Sequence, residues 1–125
     1  MTKKRIVKRV QYWQKQLGLA NWKINIEFKN YKTENKSDGW STVACTATLP
    51  DYKEAVITFH PKRLRRVDDA VVIHEVVHVL TSEMYTFAFN NLSLPEEQTG
   101  LNYYWEQQTS ELERIIQRLY KRELI

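Results

Sequence analysis

Ile73-His74-Glu75-Val76-Val77-His78-Val79-Leu80 sets a His-Glu-x-x-His sequence inside an apolar, β-branched run. On a helix, His74 and His78 are four apart, so they share one face and reach one ion. Imidazole nitrogen suits Zn²⁺ at about 2.0–2.1 Å. Glu75 follows the first ligand and does not point straight at the metal. It is placed to take a proton from a metal-bound water, whose pKa zinc lowers to about 7. The competing reading is two ordinary helix histidines flanking a solvated glutamate. Setting argues against it. The chain has three histidines, and two sit here. The surrounding residues are apolar enough to be buried, and buried histidine and glutamate side chains require partners.

The helix carrying this motif is expected over about 69–83, with Asp68 or Asp69 as its cap, because a carboxylate there accepts free backbone N–H groups. Before it lie Pro61, which ends a strand, and a basic loop with Lys62, Arg63, Arg65 and Arg66. Further upstream the pattern changes to period two. Ala55, Ile57 and Phe59 alternate with Val56, Thr58 and His60. Val43, Cys45, Ala47 and Leu49 alternate with Thr42, Ala44, Thr46 and Thr48. These two strands flank Pro50-Asp51-Tyr52-Lys53 and are expected to pair antiparallel across it. An earlier strand is read from Trp22, Ile24, Ile26 and Phe28 alternating with Lys23, Asn25, Glu27 and Lys29. Residues 29–40 are polar, with Asp38-Gly39 as a turn signal. The chain opens on an amphipathic helix over 3–17. Ile6, Val7, Val10, Trp13, Gln14 and Leu17 form its inner face, and Gly18 is its stop.

After the motif helix, residues 84–94 are apolar without a clean period and read as a packed irregular segment. Ser93-Leu94-Pro95-Glu96 reads as a helix start, opening a long helix or broken pair to about 122, with Gly100 as the interruption. The expected fold class is α+β. An N-terminal helix, a three-stranded mainly antiparallel sheet, the motif helix and a long C-terminal helix make one domain over residues 1–125.

A catalytic zinc site takes three protein ligands and leaves a fourth position open. No third histidine follows the motif, so the third ligand is sought on the C-terminal helix among Glu106, Glu111 and Glu113. At about 100° per residue, the apolar stripe of Leu101, Tyr104, Trp105, Leu112, Ile115, Ile116 and Leu119 lies nearest Glu111, which is chosen. Glu106 and Glu113 are the alternatives, with His60 or an aspartate behind them. Tyr85, Tyr103 and Tyr104 are candidate oxyanion donors, though each also reads as a core or interface tyrosine. Cys45 is either a reversible blocker of the zinc or a small buried hydrophobe. The four tryptophans read as core.

His-Glu-x-x-His on one helix with a glutamate from a later one resembles the gluzincin-type zinc metallopeptidases. The element order is similar to their small members: minigluzincins, SprT-like proteins and phage metallopeptidase-like proteins. Residues 20–120 resemble them as architecture, and His74, Glu75 and His78 match the motif residue by residue. The resemblance implies a zincin-like hydrolase with His74 and His78 as ligands, Glu75 as general base and a glutamate as third ligand. It also implies a peptide or protein substrate laid along the sheet edge. Two departures stand out: there is no Asn-Glu-x-x-x-Ser-Asp sequence after the motif and no zinc ribbon of paired cysteines.

Charge and composition set the remaining bounds. Residues 1–36 carry ten Lys or Arg against two Glu, while the remainder carries nine basic against thirteen acidic residues. A basic N-terminal face meets nucleic acid or an acidic partner, or is simply a solvated helix face. This supports an alternative function, a non-catalytic zinc-stabilised module that docks nucleic acid or protein. A single cysteine excludes an internal disulfide and fits a reducing compartment. No apolar run approaches a membrane span, and the basic N-terminus lacks an apolar stretch of a secretory signal. A cytoplasmic location without membrane partners is therefore expected. Oligomeric state is left open.

Overall fold

The computed structural model describes residues 1–30 and 43–125. The Asp38-Gly39 turn signal lies outside the described residues. Six main elements follow in order: α1 (Lys3–Gln16), β1 (Lys23–Phe28), β2 (Ala44–Leu49), β3 (Glu54–Phe59), α2 (Asp69–Asn90) and α3 (Pro95–Leu119). The fold class is α+β, as the residue periodicities indicate.

Thr2 caps α1, its hydroxyl accepting from the Arg5 N–H at 3.2 Å. The expected stop also holds, since Gly18 takes φ 76°, a left-handed conformation open to glycine. Ile6, Val10 and Trp13 are fully buried, one helical turn apart on the inner face. The sheet order is β1-β3-β2. β2 and β3 pair antiparallel, with Thr46 opposite Ile57, as expected for strands joined by the short Pro50–Lys53 link. β1 pairs parallel with β3, Ile26 opposite Ile57. The sheet is thus mixed rather than mainly antiparallel. Its central strand is the most apolar one, with Ala55, Ile57 and Phe59 buried, because a central strand is covered more completely than its neighbours. Among the described residues, this leaves β2 at one edge.

The motif helix is longer than its sequence suggested. α2 runs unbroken to Asn90, so residues 84–90 are helical, not irregular. The periodic signal fades there because that part projects past the sheet, where Met84 and Phe87 face solvent. The chain then reverses within four residues into α3, whose cap position is Leu94 rather than Ser93, without a side-chain cap bond. Gly100 does not interrupt α3. Contacts between α2 and α3 pair His74 with Glu113, His78 with Glu106, Thr81 with Trp105 and Tyr85 with Asn102. Descending numbers against ascending ones identify an antiparallel helical hairpin.

At the other end of α2, the two aspartates divide their roles. Asp68 is the cap, accepting from the Val71 N–H at 3.0 Å. Asp69 is buried and ties three parts of the chain together. It accepts from Arg9 Nε and Nη2 at 2.8 and 2.9 Å, from Trp13 Nε1 at 3.1 Å and from the Ile125 N–H at 2.6 Å. Burial pushes its carboxyl up, but the bonds from Arg9, Ile125 and Trp13 outweigh that and hold it below its ordinary value. Arg9 also donates to the Glu123 carbonyl at 2.8 Å.

Candidate metal centre

The first half of α2 is wedged between α1, β2 and α3. Val72, Ile73, Val76, Val77 and Val79 are fully buried, and this packing fixes the rotation of the helix about its axis. That rotation turns His74, Glu75 and His78 into a cleft of about 610 Å³ bounded by β2 on one side and α3 on the other. One ligand atom from each of the three lies within 4.8 Å of the others. Glu75 and His78 are buried, and His74 is partly open.

Edge strand β2 secures Glu75. Thr46 donates its hydroxyl to Glu75 Oε1 at 3.0 Å. Burial pushes the Glu75 carboxyl above its ordinary value, opposed by the two histidines and the Thr46 bond. A carboxyl raised in this way exchanges protons more readily near neutral pH than a solvated one. Trp105 closes the cleft from α3. Its ring lies edge-on to His78 with centroids 4.5 Å apart, stacks on Tyr85, and donates Nε1–H to the Thr81 hydroxyl at 2.7 Å.

The structure brings Glu106, not Glu111, to the histidine pair. One Glu106 oxygen is 2.8 Å from His78 Nε2 and the other 3.3 Å from His74 Nε2. Hydrogen bonds from both rings hold its carboxyl far below the ordinary carboxylate range, and the bond to Glu106 raises His74. Glu113 lies behind, 3.3 Å from His74 Nδ1. Glu111 is exposed, in a depression with Tyr103, Ser110 and Arg114. The sequence-based choice of Glu111 therefore fails on geometry. It assumed that the apolar stripe of α3 faces the core. The buried residues of α3 are Thr109 and Ile116, about 60–80° round from the stripe's centre with Ile116 at the stripe's edge, and the cleft lies beyond them on the side of Glu106 and Glu113.

Other expectations sort as follows. His60 lies away from the cleft, its Nδ1 accepting from the Lys62 N–H. Tyr85 bonds Asn102, Tyr103 accepts from Gln107, and Tyr104 is exposed, so none of the three faces the histidines. Cys45 is exposed as a residue and lines the cleft instead of being a buried hydrophobe, and partial desolvation of its thiol in the cleft together with Glu75 raises its pKa. Trp13 and Trp22 are core, Trp40 lies outside the described residues, and Trp105 belongs to the site. The C-terminal residues 121–125 pack at the Arg9–Asp69 end and do not enter the cleft.

The donor set fits a divalent metal. Two imidazole Nε2 atoms converge on one carboxylate, and three carboxylates in all (Glu75, Glu106 and Glu113) surround two histidines in a partly buried space. Carboxylates gathered around two imidazoles in this way are suited to hold a cation. Among the described residues, His78 Nδ1 is a buried side-chain atom with no hydrogen-bond partner, so the polar contact of this ring is made through Nε2, which faces Glu106. Two histidines and one carboxylate are a zinc ligand set.

The basic N-terminal face is also visible. Lys3, Lys4, Arg5, Lys8 and Lys15 are exposed on α1, whereas Arg9 is buried against Asp69. Among the described residues, no helix is long and apolar enough to cross a membrane. Comparison of the chain with known protein families, curated proteins and solved structures finds no match.

Proposed function

We propose that this protein is a zinc-dependent peptidase of the gluzincin kind, with His74, His78 and Glu106 as zinc ligands and Glu75 as general base. One observation carries the reading: the Glu106 carboxylate lies against the inward Nε2 atoms of both motif histidines, with Glu75 held beside them. These residues would hold zinc, which when bound would supply a Lewis acid for a carbonyl and lower the pKa of a water. Glu75, buried and steered by Thr46, takes a proton and returns it to the leaving amine. Thr46 fixes the carboxylate so that one oxygen remains free for this exchange. Trp105 shields His78 from solvent. Edge strand β2 forms the opposite wall of the cleft, where an extended substrate chain would add by backbone hydrogen bonds.

Glu75→Gln keeps the size and the Thr46 contact but removes the base. It is expected to retain zinc while losing about 10²–10⁴-fold in hydrolysis of an unfolded protein substrate. Full activity in that variant would refute the mechanism.

The exposed lysines of α1 favour a second reading, a zinc-stabilised module that docks nucleic acid. It predicts DNA retention that falls steeply with salt and is indifferent to Glu75→Gln. A cytoplasmic setting suits either reading, since a lone exposed cysteine beside the metal site persists best in a reducing compartment.

A further inference from the structure

The two histidines of the metal centre are backed by different chemistry. A metal-ligating imidazole ordinarily donates its second ring N–H to a carboxylate, a carbonyl or water, which fixes the orientation of the ring. His74 follows that pattern. Its Nδ1 lies 3.3 Å from one Glu113 oxygen, and Gln117 Nε2 donates to the other at 2.9 Å. His78 departs from it. The residue is 6 % exposed, and its Nδ1, among the described residues, has no hydrogen-bond partner. Rotation of an imidazole about χ2 is a broad torsion, so a ring without that bond is oriented by its packing.

Trp105 supplies that packing. Its ring stands at 76° to His78 with centroids 4.5 Å apart, an edge-to-face arrangement. The indole is itself fixed by two more residues of α2. It stacks on Tyr85 at 3.8 Å and 12°, and Tyr85 is tied to Asn102 on α3. It donates Nε1–H to the Thr81 hydroxyl at 2.7 Å, and that hydroxyl in turn donates to the Val77 carbonyl at 2.9 Å. Thr81 and Tyr85 follow His78 by three and seven positions, so all three present one face of α2 to the indole. Trp105 also precedes Glu106, whose carboxylate meets His78 Nε2 at 2.8 Å. Two consecutive residues of α3 therefore hold the same imidazole, one at its polar nitrogen and one against its ring.

We propose that Trp105 is the positioning residue of His78: the indole, locked by Thr81 and Tyr85, sets this imidazole for zinc as Glu113 does for His74. The inference rests on the zinc centre of the peptidase reading and needs no turnover. Its test reads zinc affinity by chelator competition and, on the cobalt-loaded chain, the visible absorption that reports ligand geometry. The native chain is measured first; if it binds neither ion, the metal centre fails and this inference with it. Trp105→Leu is expected to weaken zinc binding about 10–100-fold and to alter the cobalt spectrum. Trp105→Phe keeps an aromatic ring and is expected to recover most of both. Thr81→Val removes the acceptor of the indole N–H. It is expected to weaken zinc binding in the native background and to change nothing further in Trp105→Phe, where no N–H remains, a coupling that independent losses of fold do not produce. Thermal unfolding of the zinc-free variants reads the fold separately. Thr81→Val and Trp105→Phe each keep a similar shape, so this pair decides the matter even where Trp105→Leu does not fold. Native affinity and an unchanged cobalt spectrum in Trp105→Leu would overturn the proposal. So would an equal loss from Thr81→Val with and without the indole N–H, or zinc binding in Trp105→Phe no better than in Trp105→Leu.

Discussion

Replacing Asp69 with alanine removes the acceptor of four hydrogen bonds at once, from Arg9 twice, Trp13 and the Ile125 N–H. It leaves Arg9, a residue 9 % exposed, with the Glu123 carbonyl and the faces of Tyr12 and Trp13. Removing one partner of a buried ion pair costs about 3–5 kcal/mol, because the other charge stays buried. The neighbouring Asp68→Ala loses only an N-cap bond, worth about 0.5–2 kcal/mol. For a chain of this length the first loss lowers Tm by on the order of 10–20 °C. Urea unfolding of both variants at pH 7, followed by far-UV circular dichroism, separates the two. The pH dependence adds a sign. The folded Asp69 carboxyl lies below its ordinary value, so its stabilising contribution is fully present above the unfolded pKa of about 3.9. That contribution is lost as pH falls through the depressed folded value. The gap between the native chain and Asp69→Ala is therefore expected to narrow below about pH 4. An Asp69→Ala loss no larger than that of Asp68→Ala, or a gap constant from pH 7 to pH 3, would refute the reasoning.

Three further outcomes follow from the site and its supports. Glu106→Ala is expected to abolish stoichiometric zinc binding, whereas Glu111→Ala retains it; competition with a chromogenic chelator reads both. Glu113→Gln keeps the fold but loses the carboxylate behind His74 Nδ1. Partners of this type are worth about 10–100-fold in metal affinity, and the same chelator titration checks that range. Gly100→Ala places a methyl in open space within an unbroken helix, without positive φ. It is expected to raise stability by about 0.5–1 kcal/mol in thermal unfolding.

Much of the fold can be read in the residues because the relevant patterns are local. Alternation at Ile24–Phe28 and Ala55–Phe59 marks strands whose faces differ, and Ile6, Val10 and Trp13 mark a helix with one buried side. Pairing of β1 with β3 was not legible in this way, since parallel neighbours are distant in sequence and nothing local encodes their order. The metal motif is legible for a similar reason, in that His74, Glu75 and His78 lie on one turn of one helix. A third ligand depends on the rotation of α3 against α2, which the apolar stripe misreports. Tyr104, Ile115 and Leu119 are apolar yet exposed, so part of the stripe faces outward. Thr109, polar by type, is fully buried with its hydroxyl donating to the Trp105 carbonyl at 2.7 Å. Asp68 and Asp69 look equivalent as caps, and only the packing of α1 distinguishes them. Trp105 reads as core by composition. A signal was available, however: it sits next to Glu106 and, at helical spacing, one turn before Thr109.

Zinc content tests the central claim most directly. Native mass spectrometry of protein purified without chelator is expected to show about one zinc per chain, absent from His74→Ala/His78→Ala. No metal in the native chain, together with unchanged stability in that variant, would contradict a metal centre on α2 and with it the peptidase reading.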